Sequence, residues 1–221
     1  MSIKISKKNI KLFQESLLNW FEKSGRHHLP WRMEGLTSFE IVIAEVLLQR
    51  TKAGTIERFY LGFLDSFPNW DVIATTGTGK IEEYLKPIGL YRQRAKRLKD
   101  LAVEMVNRKG VFPFQRKELE KIPFLGQYIV NAILLQIFDT PTPLMDVNMA
   151  RVLERYFGKR KLADIRYDPY LQELAYQVVN HNSSKKINWG ILDFAASICK
   201  ARKPLCEKCF LSNTCKFYKE H

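Results

Sequence analysis

The stretch CKARKPLCEKCFLSNTC, residues 199–215, contains all four cysteines of the 221-residue chain. Their spacing is Cys-x6-Cys-x2-Cys-x5-Cys, so four thiols fall within one short loop. Such a loop can wrap four thiolates around a compact iron–sulfur cluster. Zinc accepts the same number of thiolates, but zinc fingers usually pair two short knuckles across a longer gap. Disulfides are a third alternative and are rare in reducing compartments. Coordination chemistry therefore favours a cluster over zinc at Cys199, Cys206, Cys209 and Cys215.

The cysteine loop and the whole chain are strongly basic. Five cationic side chains lie within or next to the loop: Lys200, Arg202, Lys203, Lys208 and Lys216. They offset the negative charge of a thiolate-ligated cluster and can also meet a phosphate backbone. Over the whole chain, 36 Lys and Arg residues stand against 23 Asp and Glu residues, a net charge of +13. This excess predicts a polyanionic partner, and the alternative is charge that only keeps the protein soluble.

No apolar run approaches the length of a membrane span, so we expect no membrane partner. The N-terminus MSIKISKKNIKLFQ shows neither a hydrophobic signal core nor a cleavage site. We therefore expect an intracellular, cytoplasmic protein. If its polyanionic partner is chromosomal DNA, it would be nucleoid-associated, and we expect a monomer.

Helical periodicity predicts an all-α fold. In NIKLFQESLLNWFEKSG (9–25) the apolar residues form one stripe that stops near Gly25. FEIVIAEVLLQRT (39–51) is almost wholly apolar and fits a buried helix or strand, but its continuation favours a helix. Helical spacing recurs in four later segments: QYIVNAILLQIF, VNMARVLERYF, YLQELAYQVVN and WGILDFAASICK. We find no convincing alternation of period two, and therefore predict no sheet.

A run of basic residues follows the break at Pro87 and Gly89. YRQRAKRLK (91–99) includes Arg92 and Arg94, which we select as candidate DNA contacts because the preceding loop can leave helix N–H groups free for phosphate. The alternative is an ordinary solvated helix face.

Several motifs resemble one enzyme superfamily. The cysteine spacing resembles the [4Fe–4S] loop of the endonuclease III and adenine-mismatch (MutY-type) DNA glycosylases. LEKIPFLGQYIVNAIL resembles their helix–hairpin–helix, and FDTPTPLMDVNMARVLERYFG resembles their Gly/Pro-rich loop with the catalytic aspartate. WFEKSGRHHLPWR and EVLLQRT are similar to the N-terminal part of the MutY-type branch. The resemblance runs roughly from residue 10 to residue 217.

This resemblance implies two helical lobes with a DNA-binding cleft between them. One lobe would be 29–142 with the hairpin, and the other 1–28 plus 143–221 with the cluster loop 199–215. Double-stranded DNA would lie across the cleft. A flipped base would enter between Glu45, Tyr128 and Asp146.

Asp146 is the first candidate catalytic residue. Its place at a loop-to-helix junction by itself favours an ordinary N-cap. The family motif instead puts the catalytic aspartate here, where a carboxylate stabilises positive charge on the sugar as the N-glycosidic bond breaks. Asn148 and Arg151 follow on the same helix and either orient the carboxylate or a phosphate, or simply cap and solvate.

Tyr128 separates the branches of the superfamily. The bifunctional endonuclease III branch has a lysine at this position that attacks the sugar and then cleaves the strand. A tyrosine cannot form an imine, so we expect a DNA N-glycosylase without AP-lyase activity. Serine is typical of the adenine-mismatch branch, whereas tyrosine matches the thymine-mismatch (Mig-type) enzymes. The alternative is a half-buried amphipathic side chain at the start of a helix.

Three further groups complete the candidate site. Glu45 lies in an apolar stretch, and the MutY-type resemblance makes it a general acid whose pKa burial would raise; the alternative is a salt bridge. Gln49 and Arg50 match the loop that fills the hole left by an extruded base, or form a plain surface pair. Gly126 and Gln127 belong to the segment that resembles the family's hairpin, and the resemblance implies that they contact DNA. There Phe124 replaces the first glycine of the usual Pro-Gly-x-Gly.

Three functions compete. The first is a monofunctional base-excision glycosylase that removes thymine or uracil opposite guanine. The second is an adenine-mismatch or other damaged-base glycosylase. We expect the chain to lack the C-terminal domain that reads 8-oxoguanine in MutY-type enzymes, because it continues for only six residues after Cys215. The third is a non-catalytic DNA-binding protein with a structural metal. A mere binder has no use for Asp146, Tyr128 and Glu45 together.

Overall fold

A computed structural model of the chain describes residues 6–220. Within this range the chain forms α-helices, short 3-10 turns and no strand, so the all-α prediction is confirmed. The α-helices are, in order, α1 Lys7–Ser24, α2 Ser38–Leu48, α3 Ala53–Ser66, α4 Trp70–Thr75, α5 Thr78–Leu85, α6 Tyr91–Asn107, α7 Arg116–Leu119, α8 Gln127–Gln136, α9 Val147–Phe157, α10 Pro169–Val179, α11 Ser184–Ser197 and α12 Lys216–Glu220.

The chain divides into two compact units. The first comprises residues 1–26 and 139–221, and the second residues 27–138. The predicted functional domains, 29–142 and 1–28 plus 143–221, and the cleft between them stay predictions. Along residues 6–220, no helix combines the length and apolar character that crossing a bilayer requires. The prediction of no signal sequence rests partly on residues 1–5, which lie outside the described range, and the cytoplasmic location and monomeric state stay predictions.

The unit of residues 27–138 contains α2–α8 around one apolar core. Helix α2 begins with a capping box, in which Glu40 N donates to Thr37 Oγ1 at 3.2 Å and Thr37 N donates to Glu40 Oε2 at 2.6 Å. Apolar side chains cover α2 almost all round, and five of them are buried: Phe39, Val42, Ile43, Ala44 and Leu47. This burial explains why the segment is a central helix that shows no amphipathic period.

The other unit packs α1 against α10 and α11, and Phe13 of α1 contacts the rings of Tyr156 and Phe157 of α9. Phe13, Leu17 and Phe21 follow the predicted stripe and are almost fully buried, and each such side chain contributes about 2 kcal/mol. Gly190 allows a close approach of α11 to α1, because a Cβ atom there would lie 3.3 Å from Leu17 Cγ. Trp20 lies at the edge of the stripe and stacks on Phe210 with ring centroids 5.7 Å apart. This stack fastens the cysteine loop to α1.

Candidate active site

Asp146 is the N-cap of α9. Its Oδ1 accepts hydrogen bonds from Asn148 N and Met149 N, both at 2.8 Å, and its Oδ2 accepts one from Asn148 Nδ2 at 2.6 Å. The N-cap interpretation is therefore confirmed, yet it leaves the carboxylate half-buried. A carboxylate oxygen has room for two acceptor contacts, so Oδ2 retains one for a reacting group.

Arg151 connects this carboxylate to the cysteine loop. Its Nη1 donates to Asn148 Oδ1 at 3.1 Å, and its Nε donates to Cys199 O at 3.0 Å. A third bond runs from Nη2 to Ala195 O at 3.1 Å. Burial is the main cause that lowers the pKa of Arg151, but an arginine starts so high that it stays cationic. Asn148 and Arg151 thus orient the carboxylate, and the DNA contacts predicted for them stay predictions.

The segment before Asp146 is held by Asn188 of α11, which the sequence analysis missed. Asn188 is fully buried, accepts a hydrogen bond from Leu144 N at 2.8 Å and donates to Thr142 O at 3.2 Å. A polar residue at an inward position of an apolar helix needs hydrogen-bond partners, and this pattern could have identified Asn188 from the sequence.

The four thiols lie together in the loop after α11. They are half-buried and line one cavity with apolar side chains from α9 and α11. Burial raises the pKa of the Cys209 thiol to about 11 and also raises the pKa of Cys215. A bound metal centre supplies the positive charge that deprotonates such thiols. Along residues 6–220 no three His, Cys, Asp or Glu side chains form a site for a single metal ion. The donor set of four sulfurs around a shared cavity fits an iron–sulfur cluster.

Arg155 is a second connection to the loop that the sequence analysis missed. It lies one turn after Arg151 on α9, and its Nη1 is 3.4 Å from Cys199 Sγ and 2.7 Å from Lys200 O. Its Nη2 donates to Ala201 O at 3.2 Å. The signal was the pair of arginines on one face of α9. The five predicted loop cations are exposed, as a phosphate contact requires.

Glu45 lies in the middle of α2 and is only 4% exposed. Gln136, the last residue of α8, donates from Nε2 to Glu45 Oε1 at 2.5 Å. These residues are separated by 91 positions in the chain. One carboxylate oxygen is therefore fixed by an amide from another helix of the same unit.

The hairpin lies between α7 and α8. Tyr128, in the first turn of α8, is half-buried against the core, as the amphipathic interpretation predicts, and its part in the reaction stays a prediction. Gly126 is the N-cap of α8 with an ordinary extended φ of −72°, and Gln127 beside it is partly exposed. Phe124 adopts a φ of 67°, a left-handed conformation that costs a bulky residue about 1–3 kcal/mol. The glycine of the usual motif would avoid this strain.

The remaining candidates lie near the ends of α2 and α6. Gln49 and Arg50 form the turn after α2, and Arg92 is exposed on α6. Arg94 is only 6% exposed. All five of its N–H donors contact protein oxygens. The phosphate contact predicted for Arg94 is therefore wrong, because no donor is left for a phosphate.

The structure groups the predicted residues by unit. Asp146, Asn148, Arg151 and the four cysteines belong to the unit of residues 1–26 and 139–221. Glu45, Gln49, Arg50, Arg92, Arg94 and the hairpin residues belong to the unit of residues 27–138. The convergence of both groups on one base stays a prediction.

Comparison with known families matches both parts of the sequence that carried the resemblance. Residues 43–179 match the HhH-GPD superfamily of base excision DNA repair proteins. Residues 199–215 match the iron–sulfur binding domain of endonuclease III. The predicted [4Fe–4S] cluster is therefore confirmed over zinc, and the four cysteines as its ligands stay a prediction.

Individual relatives align with nearly the whole chain. A thymine-DNA glycosylase of Aeropyrum pernix is 34% identical and covers 97% of both chains. A thymine/uracil-DNA glycosylase of Methanothermobacter thermautotrophicus is 35% identical and covers 96% of both. The solved structure of a thermostable thymine-DNA glycosylase superimposes with a TM-score of 0.88 at 34% identity, covering 97% of this chain and 98% of that one. The chain belongs to the HhH-GPD superfamily of base excision DNA repair proteins.

Proposed function

We propose that the chain is a monofunctional DNA glycosylase that removes thymine or uracil mispaired with guanine from double-stranded DNA. The observation that carries this proposal is the near-complete alignment with relatives named for thymine and uracil. It is supported by the oriented carboxylate of Asp146 and by a tyrosine at position 128, where the strand-cleaving branch has lysine.

Asp146 supplies the fixed negative charge. Departure of the base leaves positive charge on the deoxyribose, and a carboxylate aimed at that charge lowers the barrier without having to reorganise. The three N–H donors hold the carboxylate in one orientation before DNA arrives. The base leaves with the bonding electrons and takes up a proton, water adds to the sugar carbon and gives up a proton, and an abasic site remains.

Glu45 acts on the leaving base or on the attacking water. Its burial in α2 shields it from bulk solvent, and the bond from Gln136 fixes one of its oxygens. A carboxyl group held in this way can donate or accept a proton as the bond breaks. Tyr128 offers a ring edge and a hydroxyl group beside the hairpin and forms no covalent intermediate.

The cysteine loop has a structural part in this mechanism. Cys199, Cys206, Cys209 and Cys215 would hold the [4Fe–4S] cluster, which would cross-link the loop, and the exposed cations around it would be available to contact phosphates. Arg151 and Arg155 tie the loop to α9, whose first turn carries Asp146.

A panel of labelled duplexes tests the proposal. Each duplex carries one defined pair: thymine, uracil or adenine opposite guanine, or adenine opposite 8-oxoguanine. We expect strand breaks at thymine and uracil opposite guanine, and only after hot alkali, because the product is an intact strand with an abasic site. Breaks without alkali would contradict the tyrosine argument. Excision of adenine would establish the rival specificity, and no excision from any duplex would indicate a non-catalytic binder.

A further inference from the structure

Arg94 is a buried cation with an unusual set of partners. It lies in the first turn of α6, and its five N–H donors contact five acceptors at 2.6–3.1 Å: the carbonyl oxygens of Val46, Leu47, Gln49 and Gly89 and the hydroxyl oxygen of Thr51. Among the described residues no carboxylate forms an ion pair with it. The positive charge is therefore balanced by carbonyl dipoles and not by an acidic side chain.

Four of these acceptors lie at the C-terminal end of α2. The last carbonyl groups of a helix have no partner within the helix and carry partial negative charge. Arg94 donates hydrogen bonds to the carbonyl oxygens of Val46 and Leu47, and Thr51 N donates to that of Leu48 at 3.1 Å. The chain thus leaves α2 in a turn whose path is fixed by one side chain from α6.

Arg94 also holds two strained turns together. Arg50 has a φ of 57° and Leu90 a φ of 53°, and residues other than glycine adopt such values only where their surroundings impose them. Arg94 bonds to the carbonyl just before each of them, at Gln49 and at Gly89. One guanidinium therefore couples the turn after α2 to the turn before α6.

We propose that Arg94 is a positioning residue for base extrusion, which holds the turn 49–51 so that Gln49 and Arg50 are ready to enter the DNA stack. The proposal rests on the proposed function, since these two side chains act as a wedge only in an enzyme that flips bases. A turn fixed in advance does not have to be ordered at the moment of insertion, and this lowers the barrier to extrusion. Arg94 itself touches neither the DNA nor the reacting atoms.

The variant Arg94→Lys tests this role. Lysine keeps the charge but cannot reproduce the planar fork of five donors. We expect the excision rate from a guanine–uracil duplex at saturating enzyme to fall about tenfold or more, as misplacement of a positioning group predicts. The rise in fluorescence of a 2-aminopurine placed next to the target should slow by the same factor.

The salt dependence of DNA binding separates positioning from phosphate contact. Because Arg94 has no free donor, the slope of log Kd against log salt concentration should not change in Arg94→Lys or in Arg94→Gln. The neighbouring exposed Arg92 is the contrast, and Arg92→Gln should reduce that slope by about one. A similar reduction in Arg94→Gln would show a phosphate contact and overturn the proposal.

Two milder measurements keep the test valid if Arg94 variants fold poorly. Thr51→Val removes one acceptor and preserves the side-chain shape, so it should slow extrusion in the same direction by a smaller factor. In the Arg94 variants and in Thr51→Val, amide hydrogen exchange should be faster than in the wild type at residues 46–51 and 89–90 and unchanged in α3 and α8. Unchanged exchange in both turns would overturn the proposal that Arg94 holds them.

A double variant identifies the path of the effect. If Arg94 acts through the wedge, Gln49→Ala combined with Arg94→Lys should slow extrusion less than the product of the two single effects. Purely multiplicative effects would contradict the proposal. If the wild-type protein excises no base at all, the proposed function and this inference fail together. If it excises uracil and Arg94→Lys extrudes at the wild-type rate, only the inference fails.

Discussion

The two candidate carboxylates are held in different ways. Asp146 stands at the start of α9, half-buried, and takes all three of its hydrogen bonds from residues within three positions of it. Glu45 stands inside α2, 4% exposed, and takes a bond from Gln136, 91 positions away. The first is oriented by its own helix and the second by the packing of a whole unit. This suits Asp146 to a fixed charge and Glu45 to a proton exchange shielded from water.

Asp146→Asn should have the largest effect. Asparagine caps a helix about as well as aspartate, so the cap of α9 should be kept. We expect a loss of stability of only about 1 kcal/mol, because the hydrogen bond from the Asn148 side chain is lost. Excision should fall about 10³-fold, because the charge that faces the sugar is gone. Single-turnover excision and thermal unfolding of the same preparation measure the two effects separately.

Asp168 is a matched control in the same unit. It caps α10 and accepts hydrogen bonds from Lys161 N, Leu162 N and Leu171 N at 2.8–2.9 Å. Asp168→Asn should lower stability by about 1–3 kcal/mol, since an amide group would face these buried donors. Its excision rate per folded molecule should equal that of the wild type. If Asp146→Asn and Asp168→Asn had the same excision rate per folded molecule, Asp146 would act only as a helix cap.

Glu45→Gln should have the next largest effect. Glutamine keeps the volume and can still accept the hydrogen bond from Gln136, but it carries no exchangeable acidic proton. We expect excision to fall about 10²-fold, the lower range for loss of a general acid or base.

Gln136→Met provides the control for orientation. It preserves the length of the side chain and removes one donor to Glu45, so the rate should fall less than in Glu45→Gln. Excision by Glu45→Gln at the wild-type rate would exclude proton exchange by Glu45.

Arg151→Gln tests whether the support of Asp146 extends into the cysteine loop. The variant loses the bonds to Cys199 O and Ala195 O, so we expect about tenfold slower excision together with a lower iron content. Arg155→Gln is the matched contrast, since Arg155 contacts the loop and makes no contact with Asn148 within the described residues. It should lose iron while the molecules that keep iron excise normally. If the excision rate per iron-containing molecule fell equally in both variants, the loss in Arg151→Gln would not pass through Asn148 to Asp146.

The local features of the molecule were predictable from the sequence. The cysteine spacing, the N-cap at Asp146 and the stripe of α1 each depend on residues a few positions apart, where spacing determines geometry. The family resemblance then supplied the roles proposed for Asp146 and Tyr128. The all-α fold followed from the period of the apolar residues.

The features that remained hidden depend on contacts between distant residues. A glutamate in an apolar stretch shows that a partner exists, but not that the partner is Gln136. Arg92 and Arg94 look alike within a basic run. Yet Arg94 stands four residues before Leu98, on the buried stripe of α6, and this spacing was a usable sign that it points inward.

Thr37→Ala should have the smallest effect and concerns the helix that carries Glu45. It removes the capping box that begins α2, which costs about 1 kcal/mol, or a melting temperature lower by about 3 °C. Ser6→Ala should cost less, because Ser6 caps α1 through a single 3.4 Å bond. Well below melting, we expect Thr37→Ala to excise at the wild-type rate, because Glu45 is held by its buried neighbours and by the bond from Gln136. If folded Thr37→Ala were as slow as Glu45→Gln, the position of Glu45 would depend on the end of α2. The contrast with Asp146, which its own helix end orients, would then be lost.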